Sequence, residues 1–272
     1  GKPTSSSVAV WGRTSEPGEF IVKFGTEPSQ LTHSSLPAKT EIDRDNTGVA
    51  NLIGLKGDTR YHYQIFVNDN PHGLPGTFLT LPSAEESRNP EHNPKGLFNF
   101  RFEVGSCANQ NPLHGIGHRS PVYENLNQDW ADKTHFHIMN GDWLYEELRT
   151  YPSEAWRLIQ GQDALPPTVK TMPSIVGVWE NCKLYLSRGN ELAQWHRNVP
   201  SYFTFDDHEL VNDIWGSAEI GKRHRRTVFR DIGTRAWFDY LGWANPVEHP
   251  RRVHAARGKM TAGSKLLVDS ST

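Results

Sequence analysis

The sequence predicts an all-β block followed by a layered α/β domain. Three observations lead there. Short strand-like runs bounded by turn residues fill the first third of the chain, a polar, proline-containing stretch follows, and beyond it apolar runs alternate with helical patterns. A chain of 272 residues has room for one large domain or two ordinary ones, with a buried core. The balance of 29 Lys+Arg against 31 Asp+Glu leaves a formal net charge of −2, so no global charge points to nucleic acid or to an anionic membrane. No apolar stretch is long enough to cross a bilayer, and the first residues lack a signal-peptide pattern, so an exported form would already have lost its signal.

Residues 1–82 contain five strand candidates: Ser7–Trp11, Glu19–Gly25, Val49–Ile53, Tyr61–Val67 and Gly76–Thr80. Each alternates or runs apolar between Gly, Pro, Asn and Asp clusters, the spacing of a β-sandwich. Tyr61 and Tyr63 enter a late strand directly after the turn Lys56-Gly57-Asp58. That placement resembles the tyrosine corner of immunoglobulin-like and fibronectin III-like sandwiches. Residues 83–97 are polar, with Ser83, Glu85, Glu86, Asn89, Pro90, Asn93 and Pro94, and read as a linker or ordered connector.

Residues 98–272 alternate strand and helix. A strand over 98–104 is followed by a helix near 121–130 and a strand over 135–139. A longer helical region then covers about 174–197, with a strand over 200–205 and a helix over about 219–240. In the last helix Val228, Ile232, Trp237 and Tyr240 only approximate helical spacing. Lys265–Asp269 reads as one more strand, leaving a sheet that still needs partners. Most of the nine Trp residues fall in this second part, as core or lid residues.

Three strand ends carry chemistry. The first runs into Gly105-Ser106-Cys107, the second into Gly141-Asp142-Trp143-Leu144-Tyr145, and the third into Asp206-Asp207-His208-Glu209. In α/β folds ligands collect at the carboxyl edge of the sheet. A thiolate, a phenolate and an imidazole suit a transition metal, while a shared carboxylate can hold a second, harder cation. Two cations roughly 3.5–4 Å apart can clamp a phosphoryl group and lower the pKa of a bound water. The alternatives are ordinary: a capping turn for Asp142, a small buried apolar residue for Cys107, a half-buried aromatic for Tyr145 and a surface imidazole for His208. Cys182 has no motif around it and reads as structural. The basic run Lys222–Arg226 reads as a solvated helix face.

The segments Gly105-Ser106-Cys107, Gly141-Asp142-x-x-Tyr145-Glu146 and Phe205-Asp206-Asp207-His208-Glu209-x-x-x-Asp213 together resemble the alkaline phosphatase D (PhoD-like) family of metallophosphoesterases. Gly-Asp-x-x-Tyr is also the pattern of the purple acid phosphatases, in which the Tyr binds ferric iron. The resemblance implies an N-terminal immunoglobulin/fibronectin III-like sandwich followed by a metallophosphoesterase-like layered domain, incomplete at its C-terminus. It implies hydrolysis of phosphate esters by a metal-activated water, with Fe(III) and Ca(II) as the metals. Small phosphate esters would be the substrates, without nucleic-acid-specific recognition, in a secreted or cell-envelope protein. By the same resemblance Cys107, Asp142, Tyr145 and Asp207 are metal ligands, Asp142 bridging two cations and Tyr145 binding iron as phenolate. Asp207 stands where other metallophosphoesterases carry Asn, which makes the site harder and more negative. His208 is the general acid or a donor to the phosphoryl oxygens, and Asp206, Glu209, Asn212 and Asp213 orient the ligands through hydrogen bonds.

Two departures stand beside this. Related enzymes complete the site with histidines from later strands, and none of His224, His249 or His254 lies in such a setting. The expectation is therefore a fragment of a longer enzyme, with a catalytically inactive binding protein as the alternative should the chain end at Thr272. No Tyr-Arg pair precedes the third motif, where the sequence reads Leu184-Tyr185-Leu186-Ser187-Arg188. No substrate-binding Arg is assigned, and a phospholipid- or other phosphodiester-specific relative remains an alternative.

Overall fold

The computed structural model describes residues 1–110, 120–146, 175–209, 225–245, 258–260, 263 and 267–269. The first 82 residues form two antiparallel sheets. Strand β1 (Ser7–Arg13) pairs with β5 (Thr47–Ile53) in register from Ser7↔Ile53 to Arg13↔Thr47. In the other sheet β2 (Gly18–Gly25) lies between short β3 (His33–Ser34) and β6 (Arg60–Val67), β6 pairs with β7 (Asn70–Leu79), and β4 (Ala38–Thr40) joins the first part of β2. Alternate residues of both sheets point into one cluster, including Val8, Val10, Phe20, Val22, Leu52 and Phe78. Full burial of each such side chain stabilises by about 1.5–3 kcal/mol, which holds the sheets face to face.

Strand β7 starts well before the expected Gly76. Asn68 and Asp69, with φ of +48° and +61°, form a two-residue hairpin between β6 and β7, the left-handed pair of a type I′ turn. The turn lacks Gly and is easily passed over in sequence. Strands β3 and β4, at two and three residues, are too short to show a period. The connector is ordered: the Asn93 side chain donates to the carbonyls of Ser87 and Leu97 and accepts from the Leu97 N–H.

The second part is built on a parallel sheet in the order β10-β9-β8, from β8 (Phe102–Gly105), β9 (Phe136–Asn140) and β10 (Ser201–Thr204). Residues 98–101, expected as strand, lie outside β8, because pairing with β9 begins at Phe102↔Phe136. Helix α1 (Pro121–Asp129) starts with Pro at its first turn, where the missing N–H costs nothing. The expected helix over 174–197 is two helices, α2 (Ile175–Arg188) and α3 (Asn190–Asn198). Gly189 separates them, and a Cβ there would fall 2.5 Å from Gln110 Nε2 and 2.8 Å from the Tyr185 carbonyl. Helix α2 buries Ile175, Val178, Trp179, Cys182 and Tyr185, the i, i+3, i+4, i+7 stripe of an amphipathic helix. Helix α4 (Arg225–Tyr240) packs on α2, and α3 packs on α1. Of the expected residues 219–240, 219–224 lie outside the described residues. Strand β11 (Gly258–Met260) pairs with β12 (Leu267–Asp269), inside the expected Lys265–Asp269.

The sheet faces these helices with His137, Met139 and Phe203, while its other face exposes Phe102 (52%) and Val104 (55%). The β block is seated on the helices. Trp11 Nε1 donates to the Asp239 carbonyl at 2.8 Å, Tyr63 Oη to the Arg197 carbonyl at 2.8 Å, and Arg44 pairs with Asp239 at 3.3 Å.

Candidate metal centre

The three chemistry-bearing segments meet at the carboxyl ends of β8, β9 and β10. At the end of β9 the backbone turns through Gly141 (φ +79°) and Asp142 (φ +57°). Gly141 cannot be replaced easily, since a Cβ would meet the Cβ of Asp206 at 2.5 Å. Asp tolerates the left-handed region better than most residues. After β8 the chain also enters that region at Cys107 (φ +61°), and two hydrogen bonds tie the loops together, Cys107 N to the Gly141 carbonyl at 3.3 Å and Ala108 N to the Asp142 carbonyl at 2.9 Å.

Glu209 holds the third segment in place. Its Oε1 accepts the N–H groups of Trp143 (2.7 Å) and Leu144 (3.2 Å), and its Oε2 those of Asp206 (2.8 Å) and Asp142 (3.2 Å). Burial pushes its carboxyl up to about 7, and the nearby Asp142 charge adds to the rise, against the pull of these backbone donors. Asp206 Oδ1 accepts the Asp207 N–H at 2.8 Å.

This framework brings one ligand atom each from Asp142, Asp207 and His208 within 4.8 Å of one another. The Cys107 thiol donates to Asp142 Oδ2 at 3.2 Å, while Asp142 Oδ1 is buried without a hydrogen-bond partner among the described residues. An unsatisfied carboxylate oxygen beside a second carboxylate and an imidazole is costly without a cation, and the donor set suits one. The site residues therefore fit a metal. Tyr145 stacks on His208, ring centroids 4.0 Å apart, and its N–H donates to Tyr185 Oη at 3.2 Å. Cys107 lies beside Asp142 and is not one of the three converging residues. Asn212, Asp213, His224, His249 and His254 lie outside the described residues, as do Lys222–His224 of the basic run.

Arg188, in the helix preceding the third motif, is buried and donates through Nε to Gln110 Oε1 at 2.7 Å, so it braces the interior. Sequence reading missed a row of groups behind the site. Trp143 Nε1 donates to His196 Nε2 at 3.1 Å, His196 Nδ1 pairs with Ser201 Oγ at 2.8 Å, and His137 pairs with Glu103. The available signal was the inward alternation of Glu103 and His137 on adjacent strands.

A candidate metal site at the strand ends of a layered α/β fold is an arrangement compatible with a metallophosphoesterase-like protein. The family model described as PhoD-like phosphatase matches residues 102–264, and the chain belongs to that family. A solved structure of PhoD is similar over 95% of this chain and 48% of its own length, at 16% identity with a TM-score of 0.66. A purple acid phosphatase from yellow lupin (Lupinus luteus) seeds is similar over 95% of this chain and 41% of its own, at 12% identity with a TM-score of 0.53. The chain thus spans about half the length of these structures, and the likeness is one of fold. No curated protein sequence matches it. Among the described residues no helix is long and apolar enough to cross a membrane.

Proposed function

We propose that this chain hydrolyses phosphate esters with cations held at the ends of β8, β9 and β10. The convergence of Asp142, Asp207 and His208, with Asp142 Oδ1 unsatisfied, carries the reading. Asp142, Asp207, Tyr145 and Cys107 are the ligand set, and Fe(III) with Ca(II) matches its mixture of soft and hard donors. Bound cations would supply charge neutralisation for the phosphoryl oxygens and acidify a water.

The protein's own groups do the rest. If two cations are bound, Asp142 would be the carboxylate they share, Oδ1 being the oxygen that lacks a partner among the described residues. Ligation by Cys107 requires the thiol proton now donated to Oδ2 to leave. His208 hands a ring proton to the departing alkoxide oxygen or donates it to a phosphoryl oxygen, and the stack on Tyr145 sets the plane of its ring. Glu209 and Asp206 orient the ligand-bearing loops, with Asn212 and Asp213 assigned the same task from their place in the motif.

We assign residues 1–82 to a sandwich domain, 83–97 to a connector and 98–272 to the phosphatase domain. The Lys56 N–H donating to Tyr61 Oη at 2.9 Å supports an immunoglobulin/fibronectin III-like sandwich with a tyrosine corner. A secreted or cell-envelope location completes the proposal.

The test is turnover of p-nitrophenyl phosphate and bis(p-nitrophenyl) phosphate by the metal-supplemented chain. Hydrolysis lost in Asp142→Asn and reduced about 10²–10⁴-fold in His208→Ala supports the mechanism. The ester turned over faster separates monoesterase from diesterase. Metal uptake without turnover of either ester, by this chain and by one extended to the length of the PhoD structure, would move the assignment to an inactive binding protein.

A further inference from the structure

Between the β block and helices α2 and α3 lies a cavity in two parts, remote in role from the metal centre. An inner chamber of about 100 Å³ is walled mainly by apolar side chains, among them Val8, Val10, Phe78, Phe203, Leu241 and Trp243. An outer groove of about 450 Å³ adjoins it and is lined by Ile65, Leu74 and Ala193 together with Arg13, His72 and Lys183. The two parts share Trp11, Tyr63, Leu186, His196, Arg197 and Tyr240 as walls.

Most polar groups along these walls are already satisfied. Tyr63 Oη donates to the Arg197 carbonyl, Tyr240 Oη to Asp45, and His72 Nε2 meets the Arg13 carbonyl at 3.1 Å. Arg13 and Lys183 both pair with Asp45, at 3.1 and 3.3 Å, and Lys183 also pairs with Glu180. Arg197 differs. Among the described residues no carboxylate pairs with its guanidinium, and its buried Nε–H has no acceptor. A buried N–H without an acceptor is costly, and an anion at the junction of groove and chamber supplies one to this half-buried guanidinium.

We infer that this cavity binds an anionic amphiphile, a single alkyl or acyl chain with a carboxylate or phosphate head. The head pairs with Arg197 at the junction, and the chain lies along the apolar walls into the inner chamber. The Arg197 charge selects the head, and the mainly apolar lining of the inner chamber selects an apolar tail.

Trp11, Trp143 and Trp243 line the inner chamber and report on it. Their fluorescence is titrated in the metal-supplemented chain with dodecanoate, dodecyl phosphate, dodecanol and inorganic phosphate, each below its micelle concentration. Saturable one-to-one binding of a dodecyl anion is expected, weakened about tenfold or more by Arg197→Gln and blocked by Leu186→Trp, with Asp142→Asn binding as the parent does. Preference for dodecanoate identifies a fatty acid, and preference for dodecyl phosphate a monoalkyl phosphate. Dodecanol binding as tightly as either anion, an Arg197→Gln variant with parental affinity, or binding abolished by Asp142→Asn would each overturn the inference. Arg197→Gln keeps the test intact if Leu186→Trp does not fold.

Discussion

The imidazole of His208 lies on the phenol ring of Tyr145, centroids 4.0 Å apart and planes inclined by 27°. The two residues come from different strand ends, so the stack couples the loop after β9 to the loop after β10. It predicts a split between two substitutions. Tyr145→Phe keeps the stack and removes the proposed phenolate ligand, so turnover should collapse while stability falls by about 1 kcal/mol. Tyr145→Ala also empties a buried ring site and should cost about 3–5 kcal/mol. Denaturant titration beside ester turnover measures both, and equal effects of the two variants on stability would refute the coupling.

Glu209 clamps four backbone N–H groups from two motif segments, residues 142–144 and 206. Glu209→Gln places an NH₂ against two of those donors. The expected loss is about 2–4 kcal/mol of stability, together with weaker metal retention. A midpoint in urea unchanged from the parent would show that the clamp contributes nothing.

Gly141→Ala adds a methyl 2.5 Å from the Asp206 Cβ at φ +79°. The loops must part, and a loss of about 1–3 kcal/mol with reduced metal affinity is expected. Parental metal affinity in this variant would contradict the close approach.

His196 is held neutral. Its Nε2 accepts from Trp143 Nε1–H, its Nδ1–H donates to Ser201 Oγ, and Ser201 Oγ donates to the Val199 carbonyl at 3.0 Å. Burial, and then the neighbouring His137, push its pKa well below 6.5. The unfolded chain therefore takes up this proton first as pH falls. The contribution is fully present above about 6.5 and is lost as pH drops below it, with a slope of at most about 1.4 kcal/mol per pH unit from this group. Unfolding free energies between pH 8 and 5 should show a shallower decline in His196→Gln, and parallel profiles would remove His196 as the cause.

What could be read from sequence was whatever is local. Gly141-Asp142 and Asp206-Asp207-His208-Glu209 are contiguous motifs at the ends of apolar runs, and β8, β9 and β10 follow from those runs. An orienting role for Glu209 was expected from its place in the motif, but its N–H partners at 142–144 were not, because they lie more than sixty residues upstream and backbone donors leave no trace in residue type. The same holds for Trp11 and Asp239, separated by 228 positions. The break between α2 and α3 depends on Gly189 meeting Gln110, again a contact of distant residues. Asn68-Asp69 was passed over because a type I′ turn without Gly lacks the usual signature.

The most direct test of the central claim is metal content, measured by elemental analysis of the purified, metal-supplemented chain and of Asp142→Asn under the same conditions. The account predicts stoichiometric metal in the parent chain, lost or strongly reduced in the variant while its far-UV spectrum is unchanged. Equal metal content in the two, or none in the parent, would contradict a centre in which Asp142 is a metal ligand.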